Sequence, residues 1–253
     1  MVVSVRARRA LVAAVTAPLL AAGCGGAPPQ LDSLVPVTTP GGTGEPTPGA
    51  TPDPDADPDA APTPDVLLAD ATALLRDAPL FAMTGSAVGG GQRIEFGYVF
   101  AADGDVEGST VDGGTTLRLR LVSGTSYLLG DDGFWASRLG DEDPDVVAAV
   151  QARLAGRWVE ASREDALALR DLTRDRLLAE YLPTGPVSAT PARLVAGVEA
   201  QGLRGAEGVL YVEVGTARPL QVVLDDGSTV TFDLDPPPLS GAPADAIALA
   251  DLV

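Results

Sequence analysis

The sequence predicts an α+β domain: one curved antiparallel sheet with helices packed on its concave face. Three observations predict it. Apolar residues recur at helical spacing in a first segment, at every second residue in two later groups, and at helical spacing again between those groups. The strand groups are cut by short Gly- and Asp-rich turns, which favours hairpins over crossovers. The order helix, strands, helices, strands lets the two strand groups join in one sheet.

Each element follows in order. In 66–77, Leu67, Leu68, Ala71, Leu74 and Leu75 share one face, with Asp65 as the expected cap and Pro79 as the stop. In 93–100, Ile94, Phe96, Tyr98 and Phe100 oppose Arg93 and Glu95. In 115–121, Leu117, Leu119 and Leu121 oppose Arg118 and Arg120. Both are half-buried antiparallel strands within a meander over 80–130. Its turns are Gly89-Gly90-Gly91, Asp103-Gly104, Asp112-Gly113-Gly114 and Ser123-Gly124. A helix is expected at 144–154, with Pro144 in its first turn and Asp143 as cap. A longer one is expected over 163–182, stopped by Pro183, and Gly156–Val159 makes a short extended link between them. Strands return at 192–200, where Leu194, Ala196 and Val198 alternate, then at 208–214, 219–224 and 228–234. In the last, Val230 and Phe232 share a face. Three prolines at 236–238 end it, and 243–253 form a closing segment.

Ahead of this domain, residues 1–9 hold three Arg and no acid, and 10–22 are apolar apart from Thr16, with Pro18 inside. The run is too short to span a bilayer and has the three parts of a secretory leader. Leu20-Ala21-Ala22-Gly23-Cys24 resembles the bacterial lipobox, with Ala21 where that family usually has Leu. The resemblance implies a leader at 1–23 that is cut before Cys24, and a diacylglycerol on the Cys24 sulfur. Two acyl chains would give stable anchoring where one is marginal. Cys24 is the only cysteine, so no intramolecular disulfide and no paired-Cys metal motif can form. Residues 25–65 hold 11 of the 22 prolines, seven acids and no base. Such a segment is too poor in apolar side chains to fold and reads as an extended spacer reaching at least ~35 Å. The expected organisation is leader 1–23, anchor and tether 24–65, domain 66–253.

Composition excludes whole classes of function. The chain has 253 residues, net charge −18, no His, and no Lys among its 17 basic residues. Without the leader's Arg6, Arg8 and Arg9 the charge is −21. Nucleic acid is disfavoured as a partner. A Ser-His-Asp triad, histidine metal sites, Schiff-base chemistry and a Walker A loop are ruled out. The acidic clusters Asp131-Asp132, Asp141-Glu142-Asp143 and Asp225-Asp226 sit where turns or helix starts are expected. Asp103–Gly108 starts like a calcium loop, but Gly114 stands at the twelfth position, so the bidentate carboxylate is missing. No cofactor, no metal and no enzymatic activity are expected. Trp135 and Trp158 are expected in the core. All-Arg basicity, with abundant Ala, Gly, Pro and Asp, suggests a high-GC genome such as an actinobacterium.

Several local features resemble one family. Ser126-Tyr127-Leu128-Leu129 leads to Phe134-Trp135. Ala155-Gly156-Arg157-Trp158-Val159 follows, then Leu210-Tyr211-Val212 with Pro219-Leu220, and finally Thr229-Val230-Thr231-Phe232. In order and spacing, over most of 66–235, they resemble actinobacterial lipoproteins of the LprG/LppX type, which share the LolA/LolB-like half-barrel architecture. Arg157 replaces the family's usual Lys. The resemblance implies about ten strands enclosing an apolar cavity that binds a lipid or glycolipid through its acyl chains, and no catalytic residues. Ile94, Phe96, Tyr98, Leu117, Leu119, Leu194, Val198, Val230 and Phe232 are the expected cavity lining. The expected protein is a monomer, exported, and held by lipidated Cys24 at the outer face of the cell membrane. The alternative is a non-enzymatic surface scaffold or sensor lipoprotein with a filled core.

Overall fold

A computed structural model describes residues 61–89, 91–140, 142–162, 166, 169 and 172–248 of the chain. The leader, Cys24, the tether as far as 60, Asp141 and the last five residues lie outside these. From Thr63 on, the chain forms one unit.

It opens with α1 (Pro64–Asp77), followed by β1 (Leu80–Gly89), β2 (Gln92–Ala101), β3 (Val106–Asp112), β4 (Thr115–Val122) and β5 (Thr125–Gly130). Two helices come next, α2 (Asp132–Arg138) and α3 (Pro144–Leu154), then β6 (Val159–Glu160) and α4 (Arg174–Tyr181). The second strand group is β7 (Ser188–Val195), β8 (Val198–Arg204), β9 (Gly208–Glu213), β10 (Pro219–Leu224) and β11 (Thr229–Asp233), with β12 (Ile247–Ala248) last. The twelve strands form one open sheet in the order β12-β6-β5-β4-β3-β2-β1-β11-β10-β9-β8-β7. Pairing is antiparallel except between β12 and β6. The two meanders meet where β1 pairs with β11. The result is a curved α+β half-barrel with helices on its apolar face.

Local chemistry accounts for most boundaries. Asp131 caps α2 by accepting from Phe134 N at 2.8 Å, and Asp143 caps α3 by accepting from Asp145 N at 2.9 Å. Asp103 and Asp226 each accept from a backbone N–H two residues on, at 3.1 and 2.8 Å, within their turns. These carboxylates are turn- and cap-formers.

Several expectations need correction. α1 starts at Pro64 with Thr63 as the capping position, so Asp65 lies inside the first turn and its carboxylate accepts from Val187 N at 3.1 Å. The single helix expected over 163–182 is interrupted. Ala166 and Leu169 are helical, residues 172–173 are not, and α4 starts afresh because the Thr173 hydroxyl accepts from Arg176 N at 3.3 Å. The strand expected at 192–200 is the end of β7, a turn and the start of β8. Ala196 and Gly197 take φ of 49° and 85°, and Val195 faces Val198 across the hairpin. Trp135 is buried, but Trp158 is only half-buried. Its ring lies under Arg120 at 4.6 Å and Arg118 at 5.7 Å, on the face opposite Leu117 and Leu119.

From β11 the chain returns across the outer face as a strap. The N–H of Ser240 donates to Glu107 Oε2 at 2.7 Å, and Arg120 donates to Gly241 O at 3.2 Å. Ile247 N then donates to Trp158 O at 2.9 Å and places β12 beside β6.

Candidate functional site: the concave face of the sheet

Register aligns the predicted lining residues into two adjacent rungs across the sheet. One rung runs Val222, Val230, Gly85, Phe96, Thr110, Leu117, Gly130. The next runs Phe232, Met83, Tyr98, Gly108, Leu119, Leu128. A third position, Ile94, pairs with Ala87 and Asp112. Thus Phe96, Tyr98, Leu117, Leu119, Val230 and Phe232 come together in one buried cluster, and Ile94 is buried beyond it. Two expected residues do not join them. Leu194 is 71% exposed, and Val198 is half-buried at the hairpin end beside it. Val195 and Ala200 are buried there, but Val195 pairs with Val198 and Ala200 with Glu213, on the face opposite the one that carries Leu203, Leu210 and Val212.

The face is wider than the sequence reading made it. Phe81 and Met83 of β1, Leu128 of β5, Leu203 of β8, and Leu210 and Val212 of β9 belong to the same core cluster. All but Leu203 sit at period two in their strands, and that alternation is the signal by which they are found; Leu203 has Gln201 two residues before it and carries no such signal. From the helical layer come Ala71 and Leu75 of α1, Phe134 and Trp135 of α2, and Leu177, Leu178 and Tyr181 of α4. The Tyr181 and Phe96 rings lie 5.8 Å apart. Phe81 stacks on Phe100 at 5.3 Å.

Glycines in the rungs are occupied positions. A Cβ on Gly108 would fall 2.2 Å from Tyr98 Cδ1, and one on Gly130 would fall 2.2 Å from Phe134 Cδ1. The aromatic rings lie in the gaps left by the missing side chains.

Among the described residues the buried polar ones are Ser126 and Ser228, and no charged residue is buried. Within the cluster Tyr98 shares a hydrogen bond with the Thr110 hydroxyl, and burial raises its phenol above the ordinary value, so it stays protonated. Asp112 Oδ1 and Trp135 Nε1 are buried and make no hydrogen bond among the described residues. Asp112 pairs with Thr115, and a Cβ on Gly133 of α2 would come 3.3 Å from the Thr115 hydroxyl, so this end of the face lies under the start of α2. Among the described residues no group of three or more Cys, Asp or Glu is placed to hold a metal ion. Among them, too, no helix is long and apolar enough to cross a membrane. What the face offers chemically is apolar contact, with the Asp112 carboxyl and the Trp135 indole N–H at one end.

No family model and no curated protein matches the chain. Solved structures do match, among them the crystal structure of MucB. It is 15% identical, with a TM-score of 0.34, over 72% of this chain and 64% of that one.

Proposed function

We propose that this protein is an exported, membrane-anchored lipoprotein whose half-barrel binds a hydrophobic ligand, such as a lipid acyl chain, between the concave sheet face and the helical layer. One observation carries the reading. Two adjacent apolar rungs run across the joined meanders without a charged residue and meet a helical layer that is itself apolar. Affinity in such a site comes from burial, about 25 cal/mol per Å² before entropic costs. The unpartnered Asp112 Oδ1 and Trp135 Nε1 offer polar groups to a headgroup at one end. The lipobox resemblance at Cys24 supplies the anchor, and the Pro/Asp-rich 25–65 segment supplies the spacing from the membrane. The resemblance to lipoproteins of the LprG/LppX type supports the same role, which is non-enzymatic and monomeric in this reading.

A second reading is favoured by a specific observation. The Tyr98 and Phe134 rings lie in the Gly108 and Gly130 gaps, as in a core already filled by its own side chains. In that case the domain is a displayed scaffold or sensor.

Native mass spectrometry of the full chain from the membrane fraction, followed by organic extraction, separates the two. The carrier retains a lipid in stoichiometric amount beyond the acyl groups on Cys24. A full chain with no such lipid, and no uptake of a fluorescent fatty acid, leaves the scaffold. A Cys24→Ser form of unchanged mass and unchanged membrane partitioning overturns the anchor.

A further inference from the structure

Two neighbouring hairpin tips differ from the other turns of the sheet. Asp103, Ser123, Glu207 and Asp226 put a polar side chain into four of those turns. The β7–β8 tip instead reads Leu194-Val195-Ala196-Gly197-Val198, five residues without a polar side chain, and the β9–β10 tip reads Val214-Gly215-Thr216-Ala217. Ala196 is exposed and takes φ 49°, a conformation that crowds a Cβ and that Gly, Asn or Asp adopts more readily. The tip keeps a methyl group where a polar residue would sit with less strain.

Leu194 at 71% and Val214 at 51% are the two most exposed large apolar side chains among the described residues. They lie on one line across the strands, because Leu194 pairs with Glu199 and Val214 N donates to Glu199 O at 3.1 Å. The next line inward holds Gln201 and Val212, and the one after it Leu203, Leu210 and Val222. Those four apolar residues belong to the buried core. The concave side of β7–β10 thus continues from the core to an uncovered apolar lip. Single exposed apolar residues are ordinary, but an apolar lip continuous with a core marks an interaction surface.

Three observations select a lipid bilayer as what meets it. A peptide strand needs a free sheet edge, and the free edge of β7 carries Pro191 and a register shift, which discourage strand addition. Arg193 and Glu199 flank the tip with opposite charges, which suits a zwitterionic headgroup layer, whereas the net charge of −18 disfavours an anionic one. The entry of the chain also fits. Asp65, in the first turn of α1, accepts from Val187 N where β7 begins, so the tips lie at the far end of β7. Eight strand residues span about 25 Å. The 25–65 spacer, read from its composition, reaches at least ~35 Å, so the tips can touch the bilayer that holds Cys24.

We propose that the β7–β8 and β9–β10 tips are a membrane-contact surface that dips about 5–10 Å into the headgroup layer of a zwitterionic bilayer. As a contact it is independent of the concave-face ligand. As the place where an acyl chain passes from the bilayer onto Val212 and Leu210, it rests on the carrier reading.

The test uses the full chain in phosphatidylcholine nanodiscs that contain a doxyl-labelled phosphatidylcholine, followed by amide NMR. The label broadens the amides of Ala196, Gly197 and Gly215 and spares those of Glu207 and Gly227, in turns at the opposite end of the sheet. Leu194→Asp combined with Val214→Asp abolishes the broadening. Equal broadening at both ends, or none at Ala196 and Gly215, overturns the contact, and so does a folded double variant that keeps it. The pattern in the wild-type chain decides by itself if the double variant does not fold. Broadening at the tips in a chain that retains no lipid after extraction upholds the contact and overturns the carrier instead.

Discussion

Leu119 and Leu194 are the same side chain in opposite surroundings. Leu119 is 2% exposed in the middle of a rung, between Gly108 and Leu128, and Leu194 is 71% exposed on the outermost strand. Leu119→Ala is expected to cost about 2–5 kcal/mol in urea denaturation, because the rigid rung cannot collapse around the deleted atoms. Leu194→Ala is expected to stay within about 0.5 kcal/mol. A large loss at Leu194 would mean that something covers β7 in solution. In the sequence the two residues look alike, since both sit in apolar alternation. What separates them is position, since Leu194 pairs with Glu199 at the end of the outermost strand, beside a turn that carries no Asn or Asp to mark it and asks Ala196 to take positive φ. Val230 and Phe232 were legible for the opposite reason, because the Asp226-Gly227 turn before them fixes their alternation.

Among the elements, the strands and their turns were readable, and the helical layer less so. Period two survives over seven or eight residues, whereas α2 spans Asp132–Arg138 and is too short to show a helical period. The break before α4 depends on one hydroxyl at Thr173. What holds α4 to its neighbours is also invisible in sequence. Arg174, its first residue, donates to Arg76 O at 2.7 Å, to Ala78 O at 2.8 Å and to Phe100 O at 3.3 Å, with its guanidinium 5.0 Å over the Phe81 ring. One side chain therefore ties the start of α4 to the end of α1 and to β2. Arg174→Ala is expected to lower stability by about 2 kcal/mol, and Arg174→Lys to recover less than half of that, since an ammonium cannot span the three carbonyls. Chemical denaturation of the two variants checks it. Equal stability of the Lys variant and the wild type would reduce the clamp to simple charge.

At the scale of the whole molecule, the strap crosses the outer face from β11, inside the sheet, to β12 at one edge, and its fixing point is Glu107. Burial pushes the Glu107 carboxyl up, but the Ser240 N–H and Arg120 outweigh burial and leave it below its ordinary value of 4.5. A lowered folded pKa means stability that is fully present above 4.5 and is lost as pH falls through the folded value. The Tm advantage of the wild type over Glu107→Gln should therefore hold at neutral pH and shrink from about pH 4.5 downward. Exchange at the Ser240 amide should speed up over the same interval. An advantage that is independent of pH would show that the strap is held by packing instead. Sequence showed the three prolines that end β11 and a closing segment beyond them. It did not show where that segment lands, because Arg120 read simply as the solvent side of a strand and Glu107 as part of the Asp103–Gly108 turn segment.

The placement of β1 has a consequence for how the chain is made. It is the first strand in sequence and lies in the interior of the sheet, so one of its edges is satisfied at once by β2 and the other only by β11. Gly85 waits for Val230. During synthesis, β1 carries an open row of hydrogen-bonding groups until nearly the whole chain has emerged, and long-range pairing of this kind is slow. The interval in which this protein is open to mispairing is thus set by its length. Holding factors that bind extended chain would act on β1 before anything else.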